Sequence, residues 1–120
     1  MVIRVLTYNI CRGGKGREEA LGHVIRACQA DLVVLQEATE PSVVEELARA
    51  NQMAQYGSRE GQSLGFLSRR PVRQYGWHKP RISRHAFLEI ELADAEARIF
   101  GVHLSAVHAA WTERRRLEEL

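Results

Sequence analysis

The chain has 120 residues, 45% of them apolar, which is enough for one domain with a buried core and too few for two. Its 17 basic and 15 acidic residues leave a net charge of only +2, so no single-sign field dominates the whole surface. No apolar run approaches the ~20 residues of a membrane-spanning helix, and Met1 leads straight into Val-Ile-Arg-Val-Leu without the marks of a signal peptide, so an intracellular, cytoplasmic location is expected.

Val2 to Tyr8 is β-rich and apolar and reads as a strand buried on both faces, ended by Gly13, Gly14 and Gly16. From Arg17 to Gln29 the apolar positions Leu21, Val24, Ile25 and Cys28 recur at helical spacing, which predicts an amphipathic helix with that face on a sheet. Cys11 and Cys28 make no disulfide framework and lack zinc-site spacing, which favours a reducing compartment. After a turn at Asp31, Leu32 to Gln36 is a second buried strand, closing a parallel strand-helix-strand unit. Pro41 suits the first turn of a helix over about 41–51, with Val43, Val44, Leu47 and Ala48 as its buried stripe. Short strands are then expected near 53–56, 64–68, 71–77, 85–92 and 97–104, the last two as an antiparallel hairpin, with a charged helix from about Ala109 to Leu120.

Charge is unevenly spread along this path. Gly61 to Leu88 holds no acid but carries Arg69, Arg70, Arg73, Lys79, Arg81 and Arg84, which leaves the remainder at about −4. With Tyr75, Trp77 and Phe87 interleaved, this segment suits either a surface for a polyanion or an ordinary solvated strand pair.

In a right-handed strand-helix-strand unit both strands end on the same edge of the sheet, where ligands favour the crevice. Asn9 and Glu37 stand at those two ends, and His103 closes the strand Ile99-Phe100-Gly101-Val102. Each has an ordinary reading: a turn-forming Asn, a solvated Glu, a core His. Their order along the chain carries more than any one of them.

Val5-Leu6-Thr7-Tyr8-Asn9-Ile10, Asp31-Leu32-Val33-Val34-Leu35-Gln36-Glu37, Gly65-Phe66-Leu67-Ser68-Arg69-Arg70-Pro71-Val72, Arg84-His85-Ala86-Phe87-Leu88 and Phe100-Gly101-Val102-His103-Leu104-Ser105-Ala106 follow one another along the chain. In that order they resemble the endonuclease/exonuclease/phosphatase superfamily, metal-dependent phosphoesterases that include apurinic endonucleases, deoxyribonucleases, sphingomyelinases and inositol phosphatases. The resemblance implies an α/β (α+β) fold: part of a four-layer α/β sandwich, with mixed sheets flanked by helices. Glu37 then corresponds to the carboxylate that ligates Mg²⁺ or Mn²⁺, and Asn9 to the amide that orients the metal's waters and the phosphate. His103 corresponds to a donor to the phosphoryl or leaving-group oxygen, and Arg84 to a phosphate-binding arginine. A phosphate-ester substrate, with nucleic acid among the candidates, is implied as partner.

The superfamily's later Asp-x-Asn motif and terminal Asp-His pair have no counterpart, since the chain's aspartates are Asp31 and Asp94 alone. Residues 1–120 therefore resemble the N-terminal portion of one such domain, with self-association or a missing C-terminal half expected and little hydrolysis by the chain alone. The alternative of another class is a non-catalytic module that binds nucleic acid or an anionic surface through 61–88.

Overall fold

The computed structural model describes residues 2–82 and 86–103. Among them the chain forms β1 (Val5–Asn9), α1 (Glu18–Cys28), β2 (Leu32–Gln36), α2 (Pro41–Ala50), β3 (Gln55–Gly57), β4 (Gly65–Ser68), β5 (Val72–His78), β6 (Phe87–Leu92) and β7 (Arg98–Gly101). One sheet has the order β1-β2-β4-β3 and the other β5-β6-β7. β1 and β2 run parallel, in register from Val5 opposite Leu32 to Asn9 opposite Gln36, and every other described pairing is antiparallel. The architecture is thus mixed α+β, with helices on one face of the first sheet and the second sheet on its other face. No helix of the described residues is long and apolar enough to cross a membrane.

Alternation along β2 builds two cores at once. Val33 and Leu35 join Ile10, Leu21, Ile25, Val43, Val44 and Leu47 under the helices, while Leu32 and Val34 meet Phe66, Leu88 and Ile90 between the sheets. A strand buried on both faces is what an unbroken apolar run supplies. Phe66 fills the space above Gly57, where an added Cβ would come within 2.5 Å of its ring, and meets Tyr75 edge-on at 4.8 Å. Trp77 packs against the same inter-sheet cluster and donates its indole N–H to the Leu64 carbonyl at 2.9 Å.

The α2 stripe forms as expected, with Val43, Val44, Leu47 and Ala48 all buried and Pro41 in the first turn. The α1 stripe is rotated: Leu21, Gly22 and Ile25 are buried, whereas Val24 is 42% exposed. Gly22 lies on the buried side, facing the Asn51 amide and Leu47 of α2.

Two strands depart from expectation. β1 is not buried on both faces: Leu6 and Tyr8 pack under the helices, but Val5 is 47% exposed and Thr7 and Asn9 are exposed. It is an edge strand of the described sheet, and hydrophobicity alone does not say where in a sheet a strand lies. β7 stops at Gly101 rather than reaching His103, at a point where an added Cβ would stand 2.6 Å from Val34 of the other sheet. The helix expected at 109–120 lies outside the described residues.

The outer face of the second sheet is a polar lattice. Glu91 accepts from Arg73 at 3.0 Å and Gln74 at 2.7 Å, Glu89 lies 3.1 Å from His78 and 3.5 Å from Arg98, and Arg70 pairs with Asp94 at 2.7 Å. Two of the six basic residues of the 61–88 segment, Arg70 and Arg73, are therefore met by acids of β6 and the turn after it. Pairs as exposed as these add little stability, and their effect is to keep this face wet.

Candidate functional site

The first parallel pair delivers its two polar side chains to one spot. Ile10 extends the β1–β2 ladder by donating to the Gln36 carbonyl at 3.0 Å, so Asn9 and Glu37 leave the sheet edge side by side. Glu37 then takes a left-handed backbone, φ 56°, which turns its side chain back over the end of β1. From the other side Ala38 is held by the Ser63 carbonyl at 2.7 Å.

Both carboxylate oxygens of Glu37 are engaged. Oε2 accepts from the Asn9 side-chain amide at 2.8 Å and Oε1 from the backbone N–H of Arg12 at 3.0 Å. The Asn9 carbonyl oxygen accepts from the Cys11 N–H at 2.9 Å, and these two partners fix which end of the amide faces the carboxylate. The Gly13 N–H also reaches the Glu37 carbonyl, at 2.8 Å. The loop after β1 thus grips residue 37 by side chain and main chain alike.

These contacts hold the Glu37 carboxyl below its ordinary value of 4.5. The Arg12 N–H is the largest cause and the Asn9 amide the next; partial burial opposes them, and the charges of His103 and Arg12 assist. A carboxyl lowered in the folded state contributes stability above its unfolded value, and that contribution fades as pH falls through the folded one. Cation affinity that depends on the ionised carboxylate is accordingly expected to stay level through the ordinary carboxylate range and to fall only below it. In Asn9→Ala the fall begins at higher pH, and titrating Mn²⁺ affinity against pH in both proteins checks the order of the two curves.

An ionised carboxylate has about four lone-pair positions, and two N–H donors leave the others available. No cluster of three or more His, Cys, Asp or Glu side chains suited to a metal occurs among the described residues. A closed, thiolate- or imidazole-rich centre is therefore not formed by them, whereas a hard, hydrated cation held through a single carboxylate fits the oxygen donors present. Asn9, its oxygen turned to Cys11 and its nitrogen to Glu37, holds the carboxylate in place.

His103 is half-buried and near enough to Glu37 for its charge to act there, so three of the residues singled out from the sequence converge. Arg84 lies outside the described residues. Sequence reasoning overlooked the loop that joins them, where Cys11, Arg12, Gly13 and Gly14 have φ of 56°, 50°, 83° and 71° in succession. The paired glycines were the available signal: an added Cβ on Gly13 would stand 2.7 Å from Glu40, in the loop that follows Glu37.

Solved structures share this fold. The chain is 17% identical to D. rerio TDP2 complexed with single strand DNA product, covering 98% of this chain and 52% of that one with a TM-score of 0.71. It is 16% identical to the 3' phosphatase NExo from Neisseria bound to product DNA hairpin, over 97% and 48% with a TM-score of 0.63. With sphingomyelinase C from Streptomyces griseocarneus the figures are 21% identity, 82% and 47% coverage and a TM-score of 0.54. The chain thus spans about half the length of the solved structures it matches. No curated protein matches it. The model of the endonuclease/exonuclease/phosphatase family matches residues 6–120, and the chain belongs to that family.

Proposed function

We propose that this chain carries the metal-binding half of a divalent-metal-dependent phosphoesterase site, as the N-terminal portion of a single domain of its family. The observation that carries the reading is the double anchoring of Glu37 by Asn9 and the Arg12 N–H at the common edge of two parallel strands. Mg²⁺ or Mn²⁺, when bound, supplies the positive charge that polarises a phosphoryl oxygen and stabilises the leaving oxyanion. Glu37 would hold the ion directly. Asn9, a neutral amide, steadies that carboxylate without adding a negative charge to repel a phosphate. His103 would donate a hydrogen bond to the phosphoryl or leaving-group oxygen. Arg84 is assigned to phosphate binding by resemblance, a task suited to a guanidinium fork.

A phosphate ester is the substrate class this chemistry selects. Structural neighbours described as holding a single strand DNA product and a product DNA hairpin make nucleic acid the first substrate to try. The binding-module alternative draws less support, because Arg70 and Arg73 of its basic segment are paired with Asp94 and Glu91.

Lacking the later Asp-x-Asn and Asp-His motifs, the chain alone is expected to bind Mn²⁺ yet hydrolyse bis-p-nitrophenyl phosphate little above background. Robust turnover that Glu37→Ala abolishes would show the site to be sufficient by itself, and absence of Mn²⁺ binding would remove the metal reading.

Among the described strands, β1, β3, β5 and β7 each have one unpaired edge, and Val5, Phe100 and Val102 are about half exposed. Open edges and uncovered apolar side chains recruit partners. Self-association, or pairing with a separate C-terminal half, is therefore proposed, with a mass that rises with concentration in light scattering. A monodisperse monomer throughout the concentration range speaks against it.

A further inference from the structure

The left-handed loop that grips Glu37 is itself gripped from behind, by a residue with no role in the site as so far described. Arg17 stands at the entry to α1, and its Nη2 donates to the Ile10 carbonyl at 2.9 Å and also to the Cys11 carbonyl. The Cys11 carbonyl additionally receives the Gly14 N–H at 3.2 Å, and the Arg17 N–H closes the loop on the Gly14 carbonyl at 2.9 Å.

These carbonyls belong to the peptide units whose N–H groups serve the site. A trans peptide unit is planar, with its C=O and N–H pointing opposite ways. The unit joining Ile10 to Cys11 presents its oxygen to Arg17 and its N–H to the Asn9 oxygen at 2.9 Å. The unit joining Cys11 to Arg12 presents its oxygen to Arg17 and its N–H to Glu37 Oε1 at 3.0 Å. One guanidinium group therefore fixes the planes of both units whose far sides hold the two site residues.

Such a clamp has something to oppose. Cys11 and Arg12 are non-glycine residues at φ 56° and 50°, a region that costs free energy and persists only where surroundings enforce it. A flip of either peptide unit would relieve that backbone and swing an N–H away from the site. Hydrogen bonding to a cation also polarises each unit and strengthens the opposite N–H as a donor.

We propose that Arg17 is a positioning residue, which sets the orientation of Asn9 and Glu37 through the Ile10–Cys11 and Cys11–Arg12 peptide units. Its consequence for metal binding rests on the function proposed above; its effect on the loop does not.

The experiment compares wild type with Arg17→Met and Arg17→Lys by amide NMR and by Mn²⁺ titration. In Arg17→Met the Cys11 and Arg12 amide protons are expected to move upfield, as their hydrogen bonds to Asn9 and Glu37 weaken. The Ile10 amide, bonded to Gln36 at 3.0 Å, should stay in place. Mn²⁺ affinity should fall by roughly 10-fold or more, the usual cost of losing an outer-shell partner, with Arg17→Lys recovering part of both effects. A merely structural role would move amides throughout β1 and β2 together. Unmoved Cys11 and Arg12 resonances in a folded Arg17→Met protein would overturn the proposal. Arg17→Gln is read in the same way should the Met variant fail to fold. If wild type binds no Mn²⁺ while the two resonances still move, the metal reading fails and the positioning role stands.

Discussion

Replacing Glu37 with alanine is expected to abolish measurable Mn²⁺ binding, a loss greater than the ~10–100-fold that follows removal of an outer-shell partner. The magnitude rests on the donor set: the ion is proposed to be held through this one carboxylate, and the described residues form no metal-binding cluster of three or more His, Cys, Asp or Glu side chains. Stability should change much less, because the side chain lies at the sheet edge and its contacts are hydrogen bonds at the margin of the fold. Glu37→Gln separates charge from shape, since it keeps one oxygen and places an NH₂ group in the space of the other. That nitrogen would confront either the Asn9 amide or the Arg12 N–H, so Gln is expected to bind metal no better than Ala. Electron paramagnetic resonance of free Mn²⁺ reads all three proteins. Retention of wild-type affinity by Glu37→Ala would place the cation elsewhere.

Phe66→Ala is expected to give the largest loss of stability, about 3–5 kcal/mol. Phe66 is fully buried at the crossing of both sheets, closing over Gly57 and edge-on to Tyr75, with Leu32, Val34, Leu88 and Ile90 in the same cluster. Alanine would leave a hole that the neighbouring strands fill poorly, since Gly57 has no side chain to offer. For a chain of this size the cost corresponds to a fall in melting temperature of roughly 10–20 °C, readable by circular dichroism. Phe66→Leu should cost much less. Equal melting of the two variants would show that the aromatic ring is not what joins the layers.

Much of the fold was legible where local signals agreed. β2 begins and ends where its apolar run does, α2 has Pro41 at its start and its four-residue stripe buried, and β6 and β7 pair as a hairpin. Legibility failed where tertiary placement decides. β1 looked like a central strand because Val2, Ile3, Val5 and Leu6 are apolar, yet it lies at the edge of the described sheet with Val5 exposed. Val24 looked buried because its spacing was right, but the buried face of α1 runs through Leu21, Gly22 and Ile25. That Asn9 and Glu37 lie side by side was legible because parallel strands must end together. The Cys11 and Arg12 backbone donors were missed, since a main-chain N–H leaves no mark in a sequence except the glycines that let a loop approach.

Because the peptide N–H of residue 11 holds the Asn9 amide and that of residue 12 the Glu37 carboxylate, the side chains at those two positions have latitude to vary with only a small electrostatic penalty at Glu37. The restriction is stereochemical: β-branched residues resist a left-handed backbone, whereas asparagine or glycine adopts it readily. A substitution library across 10–17 should therefore retain many residue types at 11 and 12 while rejecting alternatives at Gly13 and Gly14, where an added Cβ would strike Glu40 and Leu21.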